Sequence, residues 1–140
     1  MLPEPVEADR RAFLQKAARD LRTAQRMAEE PGEFSDVVCF HAQQCAEKAF
    51  KALIVSGEMV VPRTHDLEIL AELLSGRHPD VSSLDAACAL LSDFGVAPRY
   101  PGWEPAVGSI DVPGVLAAAE KVLSWVVART GTYGTELSSG

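Results

Sequence analysis

Apolar residues recur every three to four positions along most of the chain, in five stretches separated by glycine, proline or serine. From about Ala8 to Glu29, the residues Phe13, Leu14, Ala17, Leu21, Ala24 and Ala28 fall on one side at helical spacing, and Pro31-Gly32 ends the stretch. A second helix is predicted from Ser35, a candidate N-cap with Asp36 in the dipole-favoured first turn, to Ser56-Gly57, where glycine suits a left-handed terminal residue. At 1.5 Å per residue it is roughly 30 Å long. A third begins near Thr64, whose hydroxyl can cap the amides after Pro62, and turns Leu67, Leu70, Leu73 and Leu74 inward before Gly76. Ser82-Ser83-Leu84-Asp85 approximates a capping box, with Asp in place of Glu, and opens a fourth helix that buries Leu84, Ala87, Cys88 and Leu91 before Gly95. A fifth follows Asp111. Its Pro113 is tolerated in the first turn, and Val115, Ala119, Val122, Leu123 and Val126 face the core.

No alternating period-two run and no internal repeat competes with these helices. The expected fold is all-α: an up-and-down bundle of four to five helices forming one domain over residues 1–130, with 131–140 expected as a disordered tail.

The second helix is unusual in carrying apolar residues around much of its circumference. Phe34, Val38, Ala42, Cys45, Ala49, Ala52 and Leu53 share one sector, and their small members allow close helix approach. Phe40 and Ile54 point nearly opposite, and Phe50 lies well off the axis of the stripe, so one buried face cannot hide all three. Burying each large side chain is worth roughly 1.5 to 3 kcal/mol. A second contact is therefore expected, either another helix of the bundle or another subunit, and Phe40, Phe50 and Ile54 become interface candidates.

Charge and composition narrow the function. The chain has 140 residues, 47% of them apolar, enough for one core of ordinary size. A net charge of −7 argues against strong non-specific binding to nucleic acid, which depends on phosphate neutralisation by Lys and Arg. No apolar run approaches the roughly 20 residues that cross a bilayer. Three cysteines and a start reading Leu2-Pro3-Glu4-Pro5, without a secretion-type pattern, lead to an expected cytoplasmic location with reduced thiols.

Candidate chemistry lies in four places. His41, Gln44, Lys48 and Lys51 share a flank of the second helix, where two cations and an imidazole can hold phosphate; alternatively, Glu47 and Lys51 form an exposed i,i+4 pair and His41 packs at the core margin. Arg11, Gln15, Arg19, Arg22 and Arg26 form a basic stripe on the first helix, diluted by Asp9, Asp20, Glu29 and Glu30, and suited to RNA or an acidic partner if it is not simply a solvated face. The proline-rich stretch from Gly95 to Asp111 carries Arg99, Tyr100 and Trp103, a guanidinium beside rings that can bind phosphate and stack a base, or else brace the end of the bundle. His65 and Asp66 open the third helix, where Asp66 can cap and orient the imidazole. The spacing of His41, His65 and His78 fits no zinc pattern, so no metal and no cofactor is expected. No phosphate-cradling glycine loop, activated nucleophile or paired-carboxylate motif is present, and no catalytic residue is assigned.

The run from Phe40 to Leu53, with Thr64-His65-Asp66-Leu67 and Arg99-Tyr100-Pro101 in that order, resembles the signature of HEPN domains. These are small helical proteins found beside nucleotidyltransferases, in toxin–antitoxin pairs and among ribonucleases. The resemblance implies a homodimer, a separately encoded nucleotidyltransferase partner and contact with nucleotide or RNA. Ribonuclease-active members use an Arg followed four to six residues later by His. None of Arg10, Arg11, Arg19, Arg22, Arg26, Arg63, Arg77, Arg99 or Arg129 has His at that offset. The expected role is thus a binding and interaction module. A divergent metal-independent ribonuclease toxin and a purely structural oligomeriser are the alternatives.

Overall fold

The computed structural model describes residues 2–30, 32–92 and 110–131. Within them lie five α-helices, α1 (Glu4–Met27), α2 (Ser35–Ser56), α3 (Leu67–Ser75), α4 (Asp85–Ser92) and α5 (Val112–Thr130), with a 3-10 helix at Pro79–Leu84 and no strand. The all-α bundle is what the hydrophobic periodicity requires. The tail beyond residue 131, and the stretch holding Arg99, Tyr100 and Trp103, lie outside the described residues.

α2 is the centre of the bundle. It packs most extensively against α1, then against α5, and also touches α3 and α4. Fourteen of its 22 residues are buried, so the apolar circumference is covered by four neighbours within one chain. Small residues make this possible: Ala42, Cys45, Ala46, Ala49 and Ala52 are all fully buried and let neighbouring backbones approach closely. Around them Leu14 and Ala17 of α1, Leu67, Leu70 and Leu74 of α3, and Val115, Ala119, Val122 and Val126 of α5 close one continuous core.

Two interface candidates are corrected here. Phe50 and Ile54 are 0% exposed and belong to that core. Phe50 meets Trp125 of α5 edge to face, with ring centroids 6.4 Å apart, so the second contact is internal. Phe40 is half-buried, and its ring stands edge-on to His41 at 5.3 Å.

Local chemistry explains where the helices start and stop, including several departures from expectation. α1 begins at Glu4 rather than Ala8, with Pro5 in its first turn, where a missing N–H costs nothing. Phe34, not Ser35, is the N-cap of α2, so the Ser35 hydroxyl already lies inside the first turn and no side chain caps it. Gly57 is not left-handed (φ −84°); Glu58 takes that conformation instead (φ 58°). A side chain at 57 would require the Arg77 guanidinium to move aside. A Cβ there would stand 2.5 Å from Nη1 of Arg77, whose guanidinium donates to the Gly57 carbonyl across 2.7 Å.

α3 starts three residues later than expected. Asp66 is its N-cap and accepts from the amides of Glu68 (2.9 Å) and Ile69 (3.4 Å), while the Thr64 hydroxyl accepts from the Asp66 amide. Leu73 points outward, 41% exposed, beside Ile69. The capping box at Ser82 to Asp85 does not form, because the chain is already coiled as a 3-10 helix there and passes directly into α4. That segment is fastened to α5 through Asp80. Its carboxylate pairs with Arg129 and accepts from the Trp125 indole N–H, while the Arg129 guanidinium lies 3.9 Å over the Trp125 ring.

Candidate functional site

The most heavily bonded polar group in the described residues is Glu47, in the middle of α2. It is 0% exposed, yet its carboxylate accepts from four donors. Lys51 Nζ approaches Oε2 at 2.9 Å and Lys48 Nζ at 3.2 Å; His65 Nδ1 donates to Oε1 at 2.8 Å, and Gln44 Nε2 reaches the same oxygen at 3.4 Å. Helical spacing supplies Gln44 three residues before and Lys51 four residues after, Lys48 reaches back from the next position by the length of its side chain, and the turn into α3 brings His65 across. A further relay fixes that turn: Gln44 donates to Gln43, and Gln43 donates to the His65 backbone carbonyl across 2.9 Å.

Burial is the largest single influence on the Glu47 carboxyl and raises its pKa. The hydrogen bonds from Lys51 and His65, with the charges of Lys48 and Lys51, together outweigh it and hold the group below the usual glutamate value. Glu47 is therefore ionised at neutral pH. Against its single negative charge stand two ammonium groups, so the cluster carries a net positive charge before His65 is counted. The exposures of the partners are graded. The Lys51 side chain is 10% exposed, Lys48 21% and His65 49%, so the cluster runs from the core to an accessible imidazole edge. Because Nδ1 is held by Glu47, Nε2 is the His65 nitrogen left outside that pair.

Of the residues singled out from the sequence, the fold gathers Gln44, Lys48, Lys51 and His65 into this one cluster. The exposed pairing of Glu47 with Lys51 is corrected: the pair exists but is buried. Asp66 does not orient the imidazole; its side chain is occupied with capping α3, and Glu47 does the orienting. His41 is tied elsewhere, its Nδ1 donating to Oδ1 of Asp20 on α1 across 2.8 Å. Asp20 is 2% exposed, and its Oδ2 has no hydrogen-bond partner among the described residues. Glu47, Gln43 and Asp20 were missed as site residues. A carboxylate inside an otherwise apolar run on the most buried helix is the signal that identifies Glu47.

The three thiols offer no nucleophile. All are buried; burial pushes Cys39 and Cys88 up to about 11 and Cys45 upward as well, which keeps them protonated. Among the described residues no group of three His, Cys, Asp or Glu side chains is placed to hold a metal ion, and no helix is long and apolar enough to cross a membrane.

A helical bundle that threads its polar residues through the central helix and closes them with a His-Asp-Leu turn defines a class. A family model, described as the HEPN domain, matches residues 11–130. The chain belongs to the HEPN domain family. It is similar to TT1696 from Thermus thermophilus, at 29% identity and a TM-score of 0.67, over 85% of this chain and 96% of that one. It is also similar to ST0689, an archaeal HEPN homologue, at 27% identity and a TM-score of 0.63, over 84% and 94% of the two chains. No curated protein matches.

Proposed function

We propose that this HEPN-domain protein is a binding and interaction module that contacts the phosphate of a nucleotide or RNA through the cluster between α2 and α3, and that a separately encoded nucleotidyltransferase supplies the chemistry, as in toxin–antitoxin pairs. The observation that carries the reading is the excess of cationic groups around Glu47. One buried carboxylate needs one counter-charge, and Lys48 and Lys51 provide two. Lys48 is the more exposed and has the longer bond to Glu47, so it can turn toward an incoming phosphate at little cost while Lys51 keeps Glu47 neutralised. The half-exposed His65 edge supplies a further donor when protonated.

Titration of the purified protein with a fluorescent ATP analogue and with a short single-stranded RNA tests this. Wild type is expected to bind at least one of them, and Lys48→Glu to weaken that binding about tenfold or more, which corresponds to roughly 1.4 kcal/mol. Absence of any binding at millimolar ligand, or an unchanged affinity in Lys48→Glu, overturns the reading. Two copies of the chain are expected in the working form, giving a light-scattering mass of twice 15.0 kDa.

One observation favours a second reading, the divergent ribonuclease. The Glu47–His65 pair places a carboxylate behind an imidazole and leaves Nε2 outward, the arrangement of a general base. The same protein incubated with RNA in chelator distinguishes the two. Cleavage that is abolished in His65→Ala supports the enzyme and demotes the binding module.

A further inference from the structure

Arg19, Arg22 and Arg26 stand exposed on one flank of α1 and, with Thr23 and Met27, line a shallow open groove. Arg10, Arg11 and Arg129 are ion-paired, and Arg77 is bonded to a carbonyl. The three guanidiniums of the groove, by contrast, meet no carboxylate or carbonyl among the described residues. Like charges three and four residues apart weaken the helix that carries them. The helix dipole favours Arg26 in the last turn of α1, but no carboxylate among the described residues relieves the repulsion within the stripe, in a protein whose net charge is −7. Local rules broken at the surface without an internal gain are expected where a partner sits.

We propose that this flank docks an acidic amphipathic helix of a partner protein, laid along α1 with its carboxylates facing the arginines. Three observations select a helix over a polynucleotide. Gln15, Arg19, Arg22 and Arg26 follow a four, three, four spacing, the register in which a second helix runs beside the first. Arg19 to Arg26 spans about 10 Å of axis, two turns of such a partner. Among the described residues no aromatic ring lines the groove; single-stranded nucleic acid wants a stacking surface, whereas Met27 and the Thr23 methyl offer an apolar floor for aliphatic side chains.

Charge acts in the same direction. The overall −7 repels a long polyanion, while a short acidic helix feels chiefly the field within a Debye length, about 8 Å at physiological salt. Guanidinium forks pair with carboxylates through two parallel hydrogen bonds, which fixes the partner's rotation as well as its position. Glu29 and Glu30 beyond the end of α1 and Asp9 near its start set the limits of the stripe and disfavour acidic residues on the partner past either end. The surface is on α1 and does not depend on what the Glu47 cluster binds.

The test uses the full-length protein and fluorescence anisotropy with three probes, each of about 18 units. They are a synthetic helix with Glu at alternating three- and four-residue spacing beside Leu, a scrambled peptide of the same composition, and oligouridine RNA. The patterned helix is expected to bind, the scrambled peptide about tenfold more weakly, and Arg19→Glu/Arg22→Glu to lose the patterned helix by about tenfold or more. Both arginines are exposed, and Arg19→Gln/Arg22→Gln gives a milder second variant, expected to show a smaller loss in the same direction. Equal binding of patterned and scrambled peptides overturns the proposal. So does unchanged binding in both variants, or a stripe whose reversal removes RNA instead of peptide. ATP-analogue binding by the charge-reversal variant is expected to match wild type, which separates failure here from failure of the cluster.

Discussion

Glu47→Gln is expected to lower the unfolding free energy by about 3–5 kcal/mol, the range for removing one member of a buried ion pair. The cost does not measure the attraction of the pair. It arises because Lys51, 10% exposed, keeps its charge and loses the carboxylate that justified burying it, while a single amide oxygen replaces the two that served the lysines on one side and His65 and Gln44 on the other, so one side is left facing an NH2 group. Urea denaturation at neutral pH measures the loss directly. The effect has a defined pH dependence. The folded-state pKa of Glu47 is lowered from its ordinary value, so its ionisation contributes stability above the unfolded-state pKa, and this contribution fades as pH falls through the folded value. The gap between wild type and Glu47→Gln therefore narrows below about pH 4.5. A control separates fold from function: Glu47→Met/Lys51→Met replaces the pair with apolar groups of similar length and is expected to recover most of the stability while changing nucleotide binding. A stability difference under about 1 kcal/mol for Glu47→Gln would mean that the cluster is not dry and that Lys51 finds water instead.

How much of this was legible in the chain differs between core and cluster, for a physical reason. Val115, Ala119, Val122, Leu123 and Val126 all point inward as their spacing demands, because an apolar side chain has one preferred destination and periodicity reports it. The α2 run stated its own ambiguity: residues on all sides required a second contact, but spacing cannot say whether that contact is another helix or another molecule. Glu47 was hidden for a related reason. A carboxylate four residues before a lysine reads as a solvated surface pair, and only the tertiary arrangement, with α3 turning His65 back over α2, takes both out of water. The helix starts show a similar limit. Thr64 and Asp66 are both good capping residues two positions apart, and the outcome, with Thr64 bonding the Asp66 amide and Asp66 bonding the helix, uses both.

Phe50→Ala is expected to cost about 3–5 kcal/mol, the range for deleting a fully buried aromatic side chain whose surroundings cannot collapse. Phe50 sits where α2 meets α5, its ring against Trp125, and Trp125 is in turn stacked by the Arg129 guanidinium and bonded through its indole N–H to Asp80. Those fastenings prevent the indole from moving in to fill the space, so the cavity persists and the upper part of the range applies. With total stabilities of about 5–15 kcal/mol for a domain, this removes a large fraction. Phe50→Leu, which keeps most of the volume but loses the edge-to-face contact, is expected to cost less than about 1.5 kcal/mol. Light scattering alongside denaturation decides where the contact belongs. An internal Phe50 predicts a large stability loss at an unchanged molar mass. A residue gripping a second copy predicts the reverse, a changed mass with the unfolding of each chain little altered, because the lost contact would then act on association and not on the fold. The first outcome follows from four helices closing around α2, and it moves any assembly of this protein onto surfaces other than the one Phe50 and Ile54 occupy.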